Sequence, residues 1–286
     1  MSIVVTGATG ALGRHVIEGL LKKVPAEQIT AVVRSEEKGA DYASRGIKLA
    51  IADYSKPETL DGVFAAGDKV LFISGSEIGQ RVPQHTAVVE AAKKAGVALL
   101  AYTSVLGAPE ADFRLAAEHQ VTEKLILESG LPHVFLRNGW YNENYTEQLA
   151  PVLQHNAVVQ AAGDGRVASA ARADYAAAAV VVLTEEGHEN KAYELSGDTA
   201  WSYAEYAAEL SKQTGKEIVY QNVPAEAYQG ILTGAAGLPE PLAATLVDVD
   251  KAVERGRLAG TSGQLSKLIG RPTTPIAESI AAALKG

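Results

Sequence analysis

The sequence predicts a doubly wound α/β fold, a Rossmann-type parallel sheet with a smaller C-terminal α+β lobe. Three observations predict it. The β-branched run Ile3-Val4-Val5 leads straight into the turn Gly7-Ala-Thr-Gly10-Ala-Leu-Gly13. Short apolar runs then alternate with helical periodicity through the first half of the chain. Gly96 and Gly130 stand where helices should end and strands begin. Such alternation builds βαβ units around a parallel sheet.

The first strand is read over residues 2 to 6, short and apolar as a buried parallel strand should be. A helix follows over 12 to 22, with Leu12, Val16, Leu20 and Leu21 along one side. The glycines therefore lie in a βα turn. There glycine permits a tight turn, close approach of backbone N–H groups to a pyrophosphate, and close helix–strand contact. The helix N-terminus adds a partial charge of about +0.5. Gly7, Ala8, Thr9, Gly10, Ala11, Leu12 and Gly13 are the candidate dinucleotide cradle, against the alternative of an ordinary structural turn.

The second strand, 28 to 34, ends on Arg34, with Ser35 and Lys38 just after it. An acidic residue at that place would accept from the ribose hydroxyls of NAD. An arginine instead donates charge-assisted hydrogen bonds to a 2′-phosphate, worth about ten- to hundredfold in affinity. The expected cofactor is NADP(H), the other reading of Arg34 being a solvated strand end. Asp53, closing a third strand at 47 to 52, reads equally as a contact to the adenine amino group or as a turn residue before Pro57. Helices are expected over 57 to 64, 80 to 95 and 115 to 129. The fourth strand (68 to 74) ends at Ser74-Gly75 and the fifth (97 to 103) at Thr103-Ser104. These small residues stand where doubly wound sheets collect ligands, and admit the nicotinamide half.

The sixth strand, 133 to 137, leaves through Arg137-Asn138-Gly139-Trp140-Tyr141-Asn142-Glu143-Asn144-Tyr145. Asn138, Gly139 and Trp140 suit the nicotinamide, while Trp140, Tyr141, Asn144 and Tyr145 suit a flat aromatic substrate, with Phe113 and the loop 105 to 114 covering it. A hydrophobic hinge is the competing reading. A small-residue helix over 172 to 183 opens with Arg172, which either reaches the cofactor or pairs with Asp174. A strand at 192 to 196, a helix at 203 to 214 opened by a Ser202/Glu205 capping box, a strand at 217 to 223, a turn and helix at 224 to 232 and a helix at 274 to 284 complete the chain. Residues 1–137 form the expected NADP-binding domain, with about 168–198 packing back onto it. Residues 138–286 form mainly a substrate-binding lobe.

The 286 residues, 47% of them hydrophobic, suffice for a large core. With 26 basic against 34 acidic residues, the net charge of −8 argues against nucleic acid as a partner. The absence of cysteine excludes disulfides, thiol catalysis, iron–sulfur clusters and cysteine zinc sites. The six histidines form no ligand pair, so no metal is expected. No leader precedes the first strand and no apolar stretch approaches membrane-spanning length. A cytoplasmic protein without membrane insertion is expected; a homodimer is compatible with the sequence.

The opening Val-Thr-Gly-Ala-Thr-Gly-Ala-Leu-Gly, Arg34, Ala-Ala-Lys-Lys-Ala-Gly-Val at 91 to 97, Tyr-Thr-Ser at 102 to 104, Leu-Arg-Asn-Gly-Trp-Tyr-Asn-Glu-Asn-Tyr at 136 to 145 and Thr-Glu-Glu-Gly-His-Glu-Asn-Lys at 184 to 191 together resemble the NmrA-like atypical short-chain reductases. Within that family the pattern is most similar to bacterial NADPH-dependent quinone reductases, and somewhat less to triphenylmethane reductases. The resemblance implies an N-terminal Rossmann domain, a C-terminal lobe and a substrate cleft between them. One departure from ordinary short-chain dehydrogenases stands out: no tyrosine here has a lysine four residues on. Aligned through Glu123 and Ser129-Gly130, Leu115 falls at the tyrosine position. His119 falls where many NmrA-like proteins carry lysine. Without that tyrosine, carbonyl reduction is disfavoured, whereas a quinone is a strong hydride acceptor whose reduced form is a weak base. The expectation is an NADPH-dependent reductase passing hydride directly to a planar quinone, without flavin or metal. His119 is its candidate proton donor, or else a packed histidine. The alternatives are an NADP(H)-binding sensor and a reductase of another planar acceptor such as a triphenylmethane dye.

Overall fold

In chain order the elements are β1 (Ile3–Val5), α1 (Ala11–Leu20), β2 (Ile29–Val33), α2 (Glu36–Ser44), β3 (Lys48–Ile51), β4 (Lys69–Phe72), α3 (Arg81–Ala95), β5 (Leu99–Val105), α4 (Arg114–Ser129) and β6 (His133–Asn138). There follow α5 (Glu143–Thr146), α6 (Leu149–His155), β7 (Ala157–Gln160), β8 (Arg166–Val167), α7 (Arg172–Thr184), β9 (Lys191–Leu195), β10 (Trp201–Ser202), α8 (Tyr203–Thr214), β11 (Val219–Asn222), α9 (Ala225–Gly234), α10 (Glu240–Glu254), α11 (Gln264–Ile269) and α12 (Ile276–Ala283). The computed structural model describes residues 2–285. The chain divides into two compact units. The first holds the chain through Pro109, Glu118–Asn138 and Arg172–Leu195; the second holds Glu110–Ala117, Gly139–Ala171 and the chain from Ser196 on.

The first unit is the expected doubly wound fold. Seven strands in the order β3-β2-β1-β4-β5-β6-β9 form one sheet, with every pairing parallel. The winding reverses at β1, which pairs with β2 through Val4↔Thr30 and with β4 through Val4↔Val70. Alternate residues of the strands meet the helices on each face. On one face Val4, Val70, Phe72, Leu100 and Tyr102 pack with Val88, Val89 and Ala92 of α3 and Ile126 of α4. On the other, α1 and α7 cross so closely that a Cβ on Gly19 would lie 2.8 Å from Val180 Cγ2. Gly96 (φ +69°) and Gly130 (φ +75°) adopt the left-handed conformation that ends α3 and α4.

One expectation about this unit is corrected, and one helix is added. Residues 57 to 64 form no helix, only a 3₁₀ turn over Pro57–Leu60. Residues 36 to 44, unassigned by periodicity, form α2, whose first turn carries Glu36 and Glu37 and is capped by Ser35 accepting from the Lys38 N–H (3.4 Å).

The second unit carries β10 antiparallel to β8 and β11 parallel to β7. One cluster joins Ala161, Tyr228 and Leu232 with Ala243 and Val247 of α10. Another is aromatic, with Tyr145 edge-on to Trp201 at 4.7 Å between ring centroids and Tyr203 and Tyr206 around them. The Ser202/Glu205 capping box opens α8 as expected, with both reciprocal bonds present.

Candidate active site

The glycine turn is shaped by three different constraints. Gly7 has φ +59°, a conformation that side chains strain against. A Cβ on Gly13 would strike the Gly7 carbonyl oxygen and lie 2.8 Å from Ala8 Cα, so the helix approaches the strand end as only glycine permits. Gly10 donates its N–H to the Gly7 carbonyl (2.9 Å) and stands at the N-cap of α1, where no side chain caps the helix. The first-turn N–H groups therefore have no side-chain acceptor and face outward with the positive end of the helix dipole. Tyr42 of α2 donates its hydroxyl to the Ala8 carbonyl (2.9 Å), and Arg14 Nε donates to the Thr9 carbonyl (2.9 Å), bracing the loop from both sides. A cradle that a Cβ would fill, at an uncapped helix start, fits a bound pyrophosphate.

Arg34 follows β2 directly, is exposed, and makes no hydrogen bond or ion pair with any described residue. An unengaged guanidinium at this strand end is open to a 2′-phosphate. Asp53 instead serves its own turn. Its Oδ1 accepts from the Ser55 N–H (3.0 Å) and hydroxyl (2.7 Å), and those bonds hold its carboxyl below the usual range. This is the turn aspartate of the two readings, leaving only Oδ2 for an adenine.

At the ends of β4 and β5 the hydroxyls split by strand alternation. Thr103 accepts the Ser74 N–H (2.9 Å), bracing the Ser74-Gly75 backbone. Ser104 points the other way and donates to Glu123 Oε1 (2.6 Å). Glu123 also receives both Nε (2.9 Å) and Nη2 (2.7 Å) of Arg137, whose Nη1 bonds Glu194 (2.8 Å), and Glu194 accepts the Gly107 N–H (2.7 Å). The Ser104 hydroxyl is thus committed to a buried ion-pair network tying β5, α4, β6 and β9 together. Its expected place against the cofactor is corrected to this one. Asn138 closes β6 nearly buried, its carbonyl accepting the Leu106 N–H (2.9 Å), and Arg172 opens α7 half-buried.

His119 does not have the properties of a proton donor. The residue is 5% exposed, Nδ1 is hydrogen-bonded to the Tyr102 hydroxyl (2.7 Å), and burial with the nearby Arg81 charge depresses its pKa to about 3. At neutral pH the ring is uncharged and interior, the packed alternative. Two residues to which the sequence assigned no role lie close by. His85 is fully buried: its Nε2 accepts the Gly75 N–H (3.0 Å) and its Nδ1 is hydrogen-bonded to the Thr122 hydroxyl (2.8 Å). Arg81 donates Nε to the Gly75 carbonyl (2.6 Å). A sequence signal existed, because Arg81, Gln84 and His85 continue the buried Val88-Val89-Ala92 stripe of α3. Polar residues on a core-facing stripe need partners.

In the second unit the segment after β6 is pinned by its backbone and by Asn142. Ala170 donates its N–H to the Trp140 carbonyl (3.2 Å) and Asn142 donates its own to the Ala170 carbonyl (2.9 Å). Asn142 is wholly buried: Oδ1 accepts the Ser169 hydroxyl (2.6 Å), while Nδ2 donates to the Thr274 carbonyl (3.0 Å) and Ser279 Oγ (2.9 Å). Gly139, Trp140, Tyr141 and Asn144 remain half-buried. Tyr145 and Phe113, expected to face substrate, are core residues instead: Tyr145 lies inside the aromatic cluster and Phe113 is 6% exposed.

Among the described residues no group of three or more His, Cys, Asp or Glu side chains could hold a metal ion, and no helix is long and apolar enough to cross a membrane. Residues 1–271 match the NmrA-like family. The chain is 50% identical to Quinone oxidoreductase 2 of Escherichia coli (strain K12) over 278 residues, 97% of each chain. It is 31% identical to an NAD(P)H azoreductase of Xenophilus azovorans over 96% of each. Among solved structures it superposes with a TM-score of 0.95 on an E. coli NADPH-dependent quinone oxidoreductase complexed with NADPH, at 49% identity and 99% coverage of both chains. It superposes at 0.94 on Citrobacter sp. triphenylmethane reductase complexed with NADP(H), at 43% identity over 99% of this chain and all of that one.

Proposed function

We infer the function from the premise that this chain belongs to the NmrA-like family: it is an NADPH-dependent reductase of quinones. The observation that carries this is the likeness, over 99% of both chains, to a quinone oxidoreductase that binds NADPH. The glycine cradle and the unengaged Arg34 agree with it. Gly7 to Gly13 and the first turn of α1 would hold the pyrophosphate, Arg34 the 2′-phosphate, and Ser74, Gly75, Thr103 and Asn138 the nicotinamide half. When bound, the nicotinamide supplies the hydride. The chain's own residues bind and orient, and neither His85 nor His119 is charged to donate a proton at neutral pH. A quinone suits such a site, because proximity and orientation do most of the work and its weakly basic product takes its protons from water. That is also why flavin is not needed. We assign the second unit to the acceptor, with Trp140, Tyr141 and Asn144 as its contacts, and retain Gly139 and Arg172 as cofactor contacts.

Mixing the purified protein with NADPH and a benzoquinone and following the reduced-nicotinamide absorbance tests the reading. Turnover well above the uncatalysed rate is expected. Tight NADPH binding with no turnover would overturn it in favour of a nucleotide sensor, and turnover confined to triphenylmethane dyes would move the acceptor to that class.

A further inference from the structure

The backbone that leaves β4 is held by an uncommon set of side chains. Two peptide planes meet at Gly75. The N–H of one donates to His85 Nε2 (3.0 Å), and the carbonyl of the other accepts from Arg81 Nε (2.6 Å). A third bond, from the Ser74 N–H to Thr103 Oγ1 (2.9 Å), fixes the preceding residue. Glycine is the residue with most backbone freedom, so one bond on each flanking plane removes freedom that the chain would otherwise have. The fit is mutual: a Cβ at position 75 would lie 3.1 Å from Gln84 Oε1 and 3.6 Å from His85 Nε2, so α3 packs directly against this backbone.

Arg81 is informative because of the bond it does not make. It is nearly buried, and the Glu118 carboxylate stands 3.6 Å from its Nη1, within ion-pair range but without a hydrogen bond. An arginine present only to neutralise Glu118 would close that pair with its planar fork. Here Nε is directed to the Gly75 carbonyl, and Glu118 accepts the Gly79 N–H (3.0 Å). Both charged groups are turned to the main chain of the loop after β4. That loop begins beside the point where the winding of the sheet reverses, since a Cβ on Gly7, just beyond β1, would lie 3.4 Å from Ile73 Cβ. Crevices at such reversals, beyond the carboxyl ends of the strands, are where doubly wound sheets bind nucleotides.

We propose that His85 and Arg81 are positioning residues that hold the Gly75 peptides rigid so that the Ser74-Gly75 backbone presents a fixed surface to the nicotinamide end of NADPH. The proposal rests on the reductase reading. It assigns to two side chains of α3 a share in hydride-transfer geometry, and none in holding the adenosine end.

His85→Leu is the test, with His85→Gln as the conservative variant whose amide oxygen can accept the Gly75 N–H again. His85→Leu is expected to lower kcat about tenfold to hundredfold with a much smaller change in KM for NADPH, because small misplacements of reacting groups are costly. The emission of bound NADPH, which reports the nicotinamide environment, is expected to shift. Affinity for adenosine 2′,5′-bisphosphate, which lacks the nicotinamide, is expected to stay within about twofold. His85→Gln should recover most of the loss. An unchanged kcat and emission in His85→Leu would overturn the proposal, as would parallel loss of NADPH and bisphosphate affinity. If His85→Leu fails to fold, Arg81→Met, with Arg81→Lys as its conservative partner, is held to the same readouts. Wild-type protein that binds NADPH without quinone turnover would overturn the reductase reading alone, and the emission and the affinity ratio would still decide the role of Gly75.

Discussion

The first unit holds two histidines whose pKa burial depresses, the second an aspartate whose pKa burial raises, so these groups answer a change of pH in opposite directions. His85 and His119 lie in the first unit with pKa values near 3, depressed by burial and by the Arg81 charge. Asp250 of α10 lies in the second, its Oδ2 accepting the Ala161 N–H (2.7 Å), its pKa pushed up to about 6 by burial. A histidine with a depressed pKa stabilises the fold fully above its unfolded value of about 6.5, and that contribution is lost as pH falls toward 3. An aspartate with a raised pKa does the reverse: its contribution is full below about 3.8 and is lost as pH rises through 6. At neutral pH the two rings of the first unit are uncharged, while the buried carboxyl of Asp250 loses its proton as pH rises through about 6.

Four experiments test the difference between the two units. The largest effect belongs to Gly13→Ala, where the new methyl has no space against the Gly7 carbonyl and Ala8. NADPH affinity measured by fluorescence titration should fall by about a hundredfold or more, since main chain must move in the cradle itself. Asn142→Ala removes the side chain that ties Ser169, Thr274 and Ser279, and should cost about 2–4 kcal/mol. Hydrogen exchange should quicken in the second unit, and equal quickening over β1 to β5 would break the comparison. Arg34→Glu should weaken NADPH by about ten- to hundredfold and NADH far less, by calorimetry; equal losses would remove Arg34 from the 2′-phosphate. Last comes acid destabilisation: from pH 7 to pH 5, chemical denaturation should show each buried ring losing about 2 kcal/mol. His85→Gln should reduce that loss, and Asp250→Asn should raise stability above pH 6 without altering it.

The glycine turn was legible because backbone constraint writes itself in residue type. A turn that needs left-handed backbone at Gly7 and no Cβ at Gly13 must be glycine, so the motif could be read directly. Aromatic residues carry no such information. Tyr145 and Phe113 look the same in sequence whether they line a pocket or fill a core, and both fill the core. The amide that organises its segment is Asn142, indistinguishable in sequence from its neighbour Asn144. Helix α2 was illegible because only Gly39 and Tyr42 of its nine residues are buried, too few to write a periodicity. Its existence rests on the Ser35 cap and on the packing of Gly39, where a Cβ would lie 2.8 Å from Leu49.

The first unit takes its last helix and last strand, α7 and β9, from residues beyond 171, after the chain has passed through Gly139–Ala171 of the other unit. During synthesis, therefore, the face that α1 presents to α7 stays open until Thr184 has been made, and β6 keeps one edge unpaired until Leu195 has. A fragment ending near residue 138 would contain the whole glycine turn and still expose a bare strand and an unpacked helix, a species prone to aggregate rather than to fold.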